Sequence, residues 1–152
     1  MAKELGVHLE VAYPMIPGVN DSAGEMAPLF HWILENLGSG TPLHLFRFSP
    51  SYRLSHLRRE SLATMRRERA AALRAGLKYV YFGGTLSPEE QNTHCPRCGA
   101  LLVSRVAEET AEKIYVRKEE MSRFCPSYSD VKVLLKDGRC PSCGEAIGIR
   151  FA

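Results

Sequence analysis

The sequence predicts an α/β protein: a βαβαβ segment of a partial barrel over residues 1–83, followed by a small zinc-ribbon-like β domain over residues 84–152. Three observations lead there. Strand-like and helix-like apolar patterns alternate as far as Phe82, and all five cysteines lie beyond Gly83. Four of those cysteines form two pentads of one design, Cys95-Pro96-Arg97-Cys98-Gly99 and Cys140-Pro141-Ser142-Cys143-Gly144. A chain of 152 residues is long enough for a modest domain plus a second unit stapled by a metal.

The first strand is read from Val7, Leu9, Val11, Tyr13 and Met15, which alternate with His8, Glu10, Ala12 and Pro14, and it is expected to end at Pro14. After the loop Ile16 to Asp21, Ser22-x-x-Glu25 matches a capping box, which satisfies the first free amides of a helix. Met26, Leu29, Phe30, Ile33 and Leu37 make the apolar stripe of that helix, and Gly38 and Gly40 end it. Pro28 conflicts with a helix already under way, so the helix either kinks there or begins afresh with Pro28 in its first turn. A second strand covers Leu43 to Phe48, closed by Ser49-Pro50. A second helix covers Ser61 to Ala75, with Leu62, Met65, Ala72 and Leu73 inward, Arg69 reaching toward the edge and Gly76 as its stop. Leu77 to Phe82 make a third strand. Strands joined by helices pair in parallel with right-handed crossovers.

Sheets covered by helices on both faces have nearly continuous apolar strands, yet His8, Glu10, His44 and Lys78 interrupt these. One face is therefore expected to lack helices, as on the inside of a barrel; the alternative is that these four residues sit at strand ends in solvent.

The segment Gly83 to Asn92 is rich in chain breakers and polar residues, which suits a linker or surface loop. Beyond it, Cys95, Cys98, Cys140 and Cys143 are the expected metal ligands. Two residues between thiols let both sulfurs of one turn reach one ion, and the glycine after each second cysteine permits a turn with positive φ. Two such knuckles close a tetrahedral shell and leave no position for water or substrate, so the site is structural. Zinc is expected, although a single iron also accepts four thiolates. A redox pair belongs at the start of a helix, where the dipole lowers a thiol pKa, and neither pentad introduces one. His94 and Cys125 are expected to stay outside the shell, Cys125 as a small hydrophobe. Ala100 to Val106 and Val131 to Leu135 are expected strands, Lys136-Asp137-Gly138 a turn, and Ala107 to Arg123 either a helix or an extended insertion.

Composition limits the remaining classes. Hydrophobic and charged fractions of 45% and 24% are those of a globular chain, and no apolar run reaches the roughly 18 residues of a membrane span. Lys3, Glu4, His8 and Glu10 break the stretch where a signal peptide needs an apolar core, so the expected location is the cytoplasm. A net charge of +3 does not by itself imply a polyanion, and Glu60 and Glu68 interrupt the run Arg58, Arg59, Arg66, Arg67, Arg69, Arg74, so nucleic acid is not the expected partner.

Four segments, Gly6 to Asp21, Pro42 to Tyr52, Gly76 to Gly83 and Asn92 to Gly99, together with the Cys140 knuckle, resemble in their order the C-terminal half of the AmmeMemoRadiSam system radical SAM proteins, relatives of pyruvate formate-lyase activating enzymes. The resemblance implies a partial TIM-type barrel and a [4Fe-4S] cluster that cleaves S-adenosylmethionine to start radical chemistry. By position it implies that Pro17, Gly18, Asn20, His44, Arg47 and Phe48 line the cofactor side. The chain departs from the family in one respect: it holds no C-x3-C-x2-C cluster motif, which belongs to the family's N-terminal half. No catalytic residue is assigned, and this chain alone is expected to be inactive unless a separate N-terminal half supplies the cluster and S-adenosylmethionine. A zinc-ribbon interaction or nucleic-acid module and a rubredoxin-like iron carrier are the alternatives.

Overall fold

The computed structural model describes residues 3–83, 88–107 and 128–148. It is a mixed α/β protein with two small sheets, and the chain divides into two compact units, Met1–Thr85 and Leu86–Ala152. Cys125 and nearly all of the ambiguous segment Ala107 to Arg123 lie outside the described residues.

The first unit runs β1 (Val11–Met15), α1 (Ala23–Asn36), β2 (Leu43–Arg47), a 3₁₀ turn (Tyr52–Leu54), α2 (Leu62–Ala75) and β3 (Val80–Gly83). The strands pair in parallel in the order β1-β2-β3, with Tyr13 opposite Leu45 and Leu45 opposite Phe82. Met15, Leu43, Leu45, Val80 and Phe82 are buried with Met26, Phe30 and Ile33 of α1 and Met65 and Ala72 of α2. Strand residues two apart share a face, so both helices cover one side of the sheet, the result of two crossovers of the same hand. Each large side chain so buried contributes about 1.5–3 kcal/mol.

Helix α1 starts where the capping box places it. The Glu25 amide donates to Ser22 Oγ at 3.3 Å. The helix continues through Pro28 without restarting. Proline cannot donate to the carbonyl of Gly24, but both residues are exposed, so that carbonyl is open to solvent. At the other end Gly38, with φ 84°, returns its amide to Ile33 O at 2.8 Å.

Three expectations shift. The first strand begins at Val11 and includes Pro14. The Val11 amide donates toward β2, to Pro42 O at 2.9 Å. Donors alternate sides along a strand, so the nitrogen of Pro14 faces the outer edge, where no ladder bond is lost. In α2, Leu73 turns outward, 37% exposed, and Glu68 takes the buried position one turn below Ala72. Arg69 does reach the sheet, donating from Nε to Val80 O at 2.9 Å. The third strand is shorter than expected: Leu77 and Tyr79 are buried but precede it.

On the face away from the helices, alternation places Ala12, Pro14, His44, Phe46, Tyr81 and Gly83. The rings of His44 and Tyr81 lie 5.3 Å apart. Phe46 is 41% exposed, and its ring covers Gly83 so closely that a Cβ there would stand 2.5 Å from it. Of the four polar residues that interrupt the strand patterns, His8, Glu10 and Lys78 precede strands, and only His44 lies within one. The described sheet is open at both edges; a closed barrel is not present among the described residues.

The second unit holds β4 (Thr93–His94), β5 (Leu101–Ala107) and β6 (Tyr128–Val133), antiparallel in that order. Asp137 and Gly138, at φ 50° and 70°, form a two-residue turn closed by mutual amide-to-carbonyl bonds between Lys136 and Arg139. Positive φ at both central residues is the reason Asp-Gly stands there.

Candidate metal centre

The two pentads fold alike. In the first, the Gly99 amide donates to Cys95 O at 2.9 Å and the Cys95 amide to Ala100 O at 2.8 Å. In the second, Gly144 donates to Cys140 O and Cys140 to Glu145 O, both at 2.9 Å. Gly99 and Gly144 have φ of 75° and 73°, which other residues adopt only with strain. The β5 strand leaves directly from the first knuckle, and the Asp137-Gly138 turn delivers the second.

This arrangement brings all four sulfurs to within 4.8 Å of one another. Cys95 Sγ lies 3.6 Å from Cys143 Sγ, and Cys98 Sγ lies 3.6 Å from Cys140 Sγ. A regular tetrahedron of sulfurs about 2.3 Å from a central zinc has edges of about 3.8 Å. A disulfide requires about 2.05 Å, so the spacing suits ligands of one ion and not oxidised pairs. The four cysteines are free thiols. The first cysteine of each knuckle is buried beside Leu102 and Ile147, while Cys98 is exposed and Cys143 half-buried. His94 is exposed in β4 and is not among the grouped donors.

The electrostatics agree with a site that needs a cation. Burial pushes the Cys140 thiol up, but the backbone amides of Ser142 and Cys143 and the thiols of Cys98 and Cys143 pull it down to about 7. Cys143 receives the Glu145 amide, which lowers its pKa. Burial and the neighbouring Cys98, Cys95 and Cys140 sulfurs outweigh that and push it up to about 12. The knuckle amides thus favour a thiolate, but neighbouring sulfurs oppose a second unless positive charge is placed among them. Four converging thiols are a donor set for zinc, which fits them as a closed structural site.

The residues that the resemblance places on a cofactor side divide into two groups. Pro17, Gly18 and Asn20 form the loop after β1, and Arg47 and Phe48 stand at the carboxyl end of β2. Asn20 closes its own loop: its Oδ1 accepts from the Ile16 amide at 2.7 Å, and its Nδ2 donates to Pro14 O at 2.9 Å. The Gly18 amide donates to Asp21 Oδ1 at 2.8 Å, and Pro17 is buried. Arg47 Nε donates to Glu60 O at 2.6 Å, while Phe48 O accepts from the Glu60 amide at 3.2 Å. His44 is not with them. It is the second residue of β2, about 10 Å from Arg47 at strand rise. There it meets Glu10, with Nε2 2.7 Å from Oε2, while His8 Nε2 stands 2.9 Å from Oε1 of the same carboxylate. Burial pushes the Glu10 carboxyl up, but the bonds and charge of the two histidines outweigh it and the pKa falls.

The sequence marks Glu60 only as a break in a basic run. It is 2% exposed; its Oε1 accepts from the Ser61 amide at 2.6 Å, and its Oε2 has no hydrogen-bond partner among the described residues. Burial raises its pKa, and the charge of Asp21 adds to the rise. Its neighbours Arg58 and Arg59 read as surface, which hid it.

Over 149 residues, 98% of the chain, the sequence is 34% identical to an uncharacterized protein of Methanocaldococcus jannaschii. The chain spans 39% of the length of that relative. No family model and no solved structure matches the chain. Among the described residues, no helix is long and apolar enough to cross a membrane.

Proposed function

We propose that this chain is the C-terminal portion of a radical SAM enzyme of the AmmeMemoRadiSam type, carrying a structural zinc on Cys95, Cys98, Cys140 and Cys143. The observation that carries the proposal is the one-sided sheet. Three parallel strands present helices on one face and a half-exposed row of His44, Phe46 and Tyr81 on the other. Such a face is suited to become the inside of a barrel once further strands are added. Two facts support this: the four ordered motifs that resemble the family, and a relative in which the matching region is 39% of the length. Pro17, Gly18, Arg47 and Phe48 then lie at the carboxyl ends of the strands, the side on which parallel α/β folds bind ligands. The cluster and S-adenosylmethionine come with the other portion, because this chain lacks the cluster motif. Its own cysteines hold the second unit together and leave no open coordination position.

The test is reconstitution with the portion of the Methanocaldococcus jannaschii relative that lies outside the matched region. Co-expressed under anaerobic conditions, the two should co-purify and, with a reductant, release 5′-deoxyadenosine from S-adenosylmethionine, while the present chain alone should release none. Turnover by the chain alone, or failure of the two to associate, would overturn the proposal. Metal analysis of the chain alone should find zinc; a red iron-loaded protein with reversible one-electron chemistry would favour a rubredoxin-like carrier instead.

A further inference from the structure

The segment that leaves the carboxyl end of β2 carries a strained, exposed aromatic residue. Tyr52 has φ 47°, a region that a bulky side chain rarely adopts, yet the residue is 84% exposed. Such a conformation is strained, and burial of the ring does not offset it. The turn is nevertheless well tied. The Leu54 amide donates to Ser51 O at 2.9 Å, Ser55 to Tyr52 O at 3.3 Å and Leu57 to Leu54 O at 3.1 Å. Arg53 stands over the ring, its guanidinium carbon 5.5 Å from the centroid. Leu54, the next residue, is 40% exposed.

Charge is one-sided here. From Ser49 to Arg59 the sequence holds Arg53, His56, Arg58 and Arg59 and no acidic residue. The first carboxylate, Glu60, is buried. Tyrosine and arginine are the side chains over-represented at interface hot spots, and a turn that fixes them beforehand lowers the entropy lost on binding.

We propose that the Tyr52–Arg53 turn is a docking surface for an acidic protein segment. The Arg53 guanidinium chooses carboxylates, while the Tyr52 ring and Leu54 offer apolar contact to the side chains between them. Single-stranded nucleic acid fits less well, because it is held by successive aromatic platforms along a basic groove and this turn has a single exposed ring. The proposal concerns binding alone and is independent of the radical SAM assignment.

The test uses the full zinc-loaded chain and fluorescence anisotropy with three labelled probes: a peptide of glutamate and leucine residues, the same peptide with glutamine for glutamate, and an oligothymidylate. The acidic peptide should bind most tightly of the three. Arg53→Ala and Tyr52→Asn should each weaken it about fivefold or more, the ratio that marks an interface residue costing over 1 kcal/mol. Asparagine tolerates positive φ, so Tyr52→Asn removes the ring and keeps the turn. Tyr52→Phe should bind as the original does, and Arg74→Ala, which removes an exposed charge at the far end of α2, should change affinity less than twofold. Equal binding of the glutamate and glutamine peptides, no binding of either, tighter binding of the oligothymidylate, or an Arg74→Ala loss equal to that of Arg53→Ala would each overturn the proposal.

Discussion

The two units of this chain solve the same problem with different means. The first buries side chains from three strands and two helices in one cluster, Met15, Phe30, Leu45 and Phe82 among them. The second has Leu102 and Ile147 beside two buried thiols, with Ala100, Leu135 and Cys143 packed partly against them. Among the described residues, area bookkeeping gives so small a cluster little to set against the entropy of ordering its backbone. A structural zinc can, at of the order of 10–16 kcal/mol in small metal-dependent units. The contrast teaches where each unit is vulnerable: the first to cavities and buried polar groups, the second, with a metal on its four thiols, to protons and chelators.

The largest effect is expected at the thiols. Purified protein should hold about one zinc per chain, and Cys95→Ser or Cys140→Ser should lose it together with the strand signal of the second unit, while the helical circular dichroism of the first persists. Metal analysis by plasma mass spectrometry decides this, and metal retained by both variants would sink the four-thiolate site. Next comes the first core. Leu45→Ala, at a fully buried position of the central strand, should cost about 2–5 kcal/mol in urea unfolding of the helical signal and leave zinc content unchanged. Loss of zinc in that variant would show that the units are not separately stabilised.

The smallest effect concerns Glu60. Burial first, and Asp21 second, raise its pKa above the ordinary 4.5, so the folded chain holds that proton more tightly than the unfolded chain does. Its contribution is fully present below the unfolded value and lost as pH rises through the folded one. Glu60→Gln should therefore gain on the original protein as pH is raised from below the ordinary carboxylate value of 4.5 to neutrality and above it. A stability difference that does not vary with pH would remove Glu60 from the account of the first unit.

Much of this architecture was legible in the residues, for physical reasons. Helix starts are written in short local signals, so Ser22 and Ser61 mark them directly, Ser61 accepting from the Thr64 amide at 3.0 Å. Ligand spacing is equally local within each knuckle, and the paired glycines at 99 and 144 announce the turn. What escaped depends on partners distant in sequence. Leu73 left its expected inward place and Glu68 is buried instead because the buried stripe of α2 runs through Met65 and Ala72 and is set by packing, which outweighs the polarity of one residue. His44 shares a segment with Arg47 but not a location, since alternation and strand rise send it to Glu10 instead. The burial of Glu60 follows from where β2 and α2 meet, which no window of sequence contains.

Pro14 bears on how this molecule avoids its own kind. β1 pairs with β2 alone among the described strands, which leaves its other side without a strand partner among the described residues. An unguarded edge of that sort templates growth by a second copy and begins aggregation. With a ring where one outward donor would stand, the edge misses one rung, so a further strand pairs along it only with that position skipped. Replacing Pro14 with threonine would restore the rung and turn a selective edge into an adhesive one. The residue that seemed to end the strand is better understood as its gatekeeper.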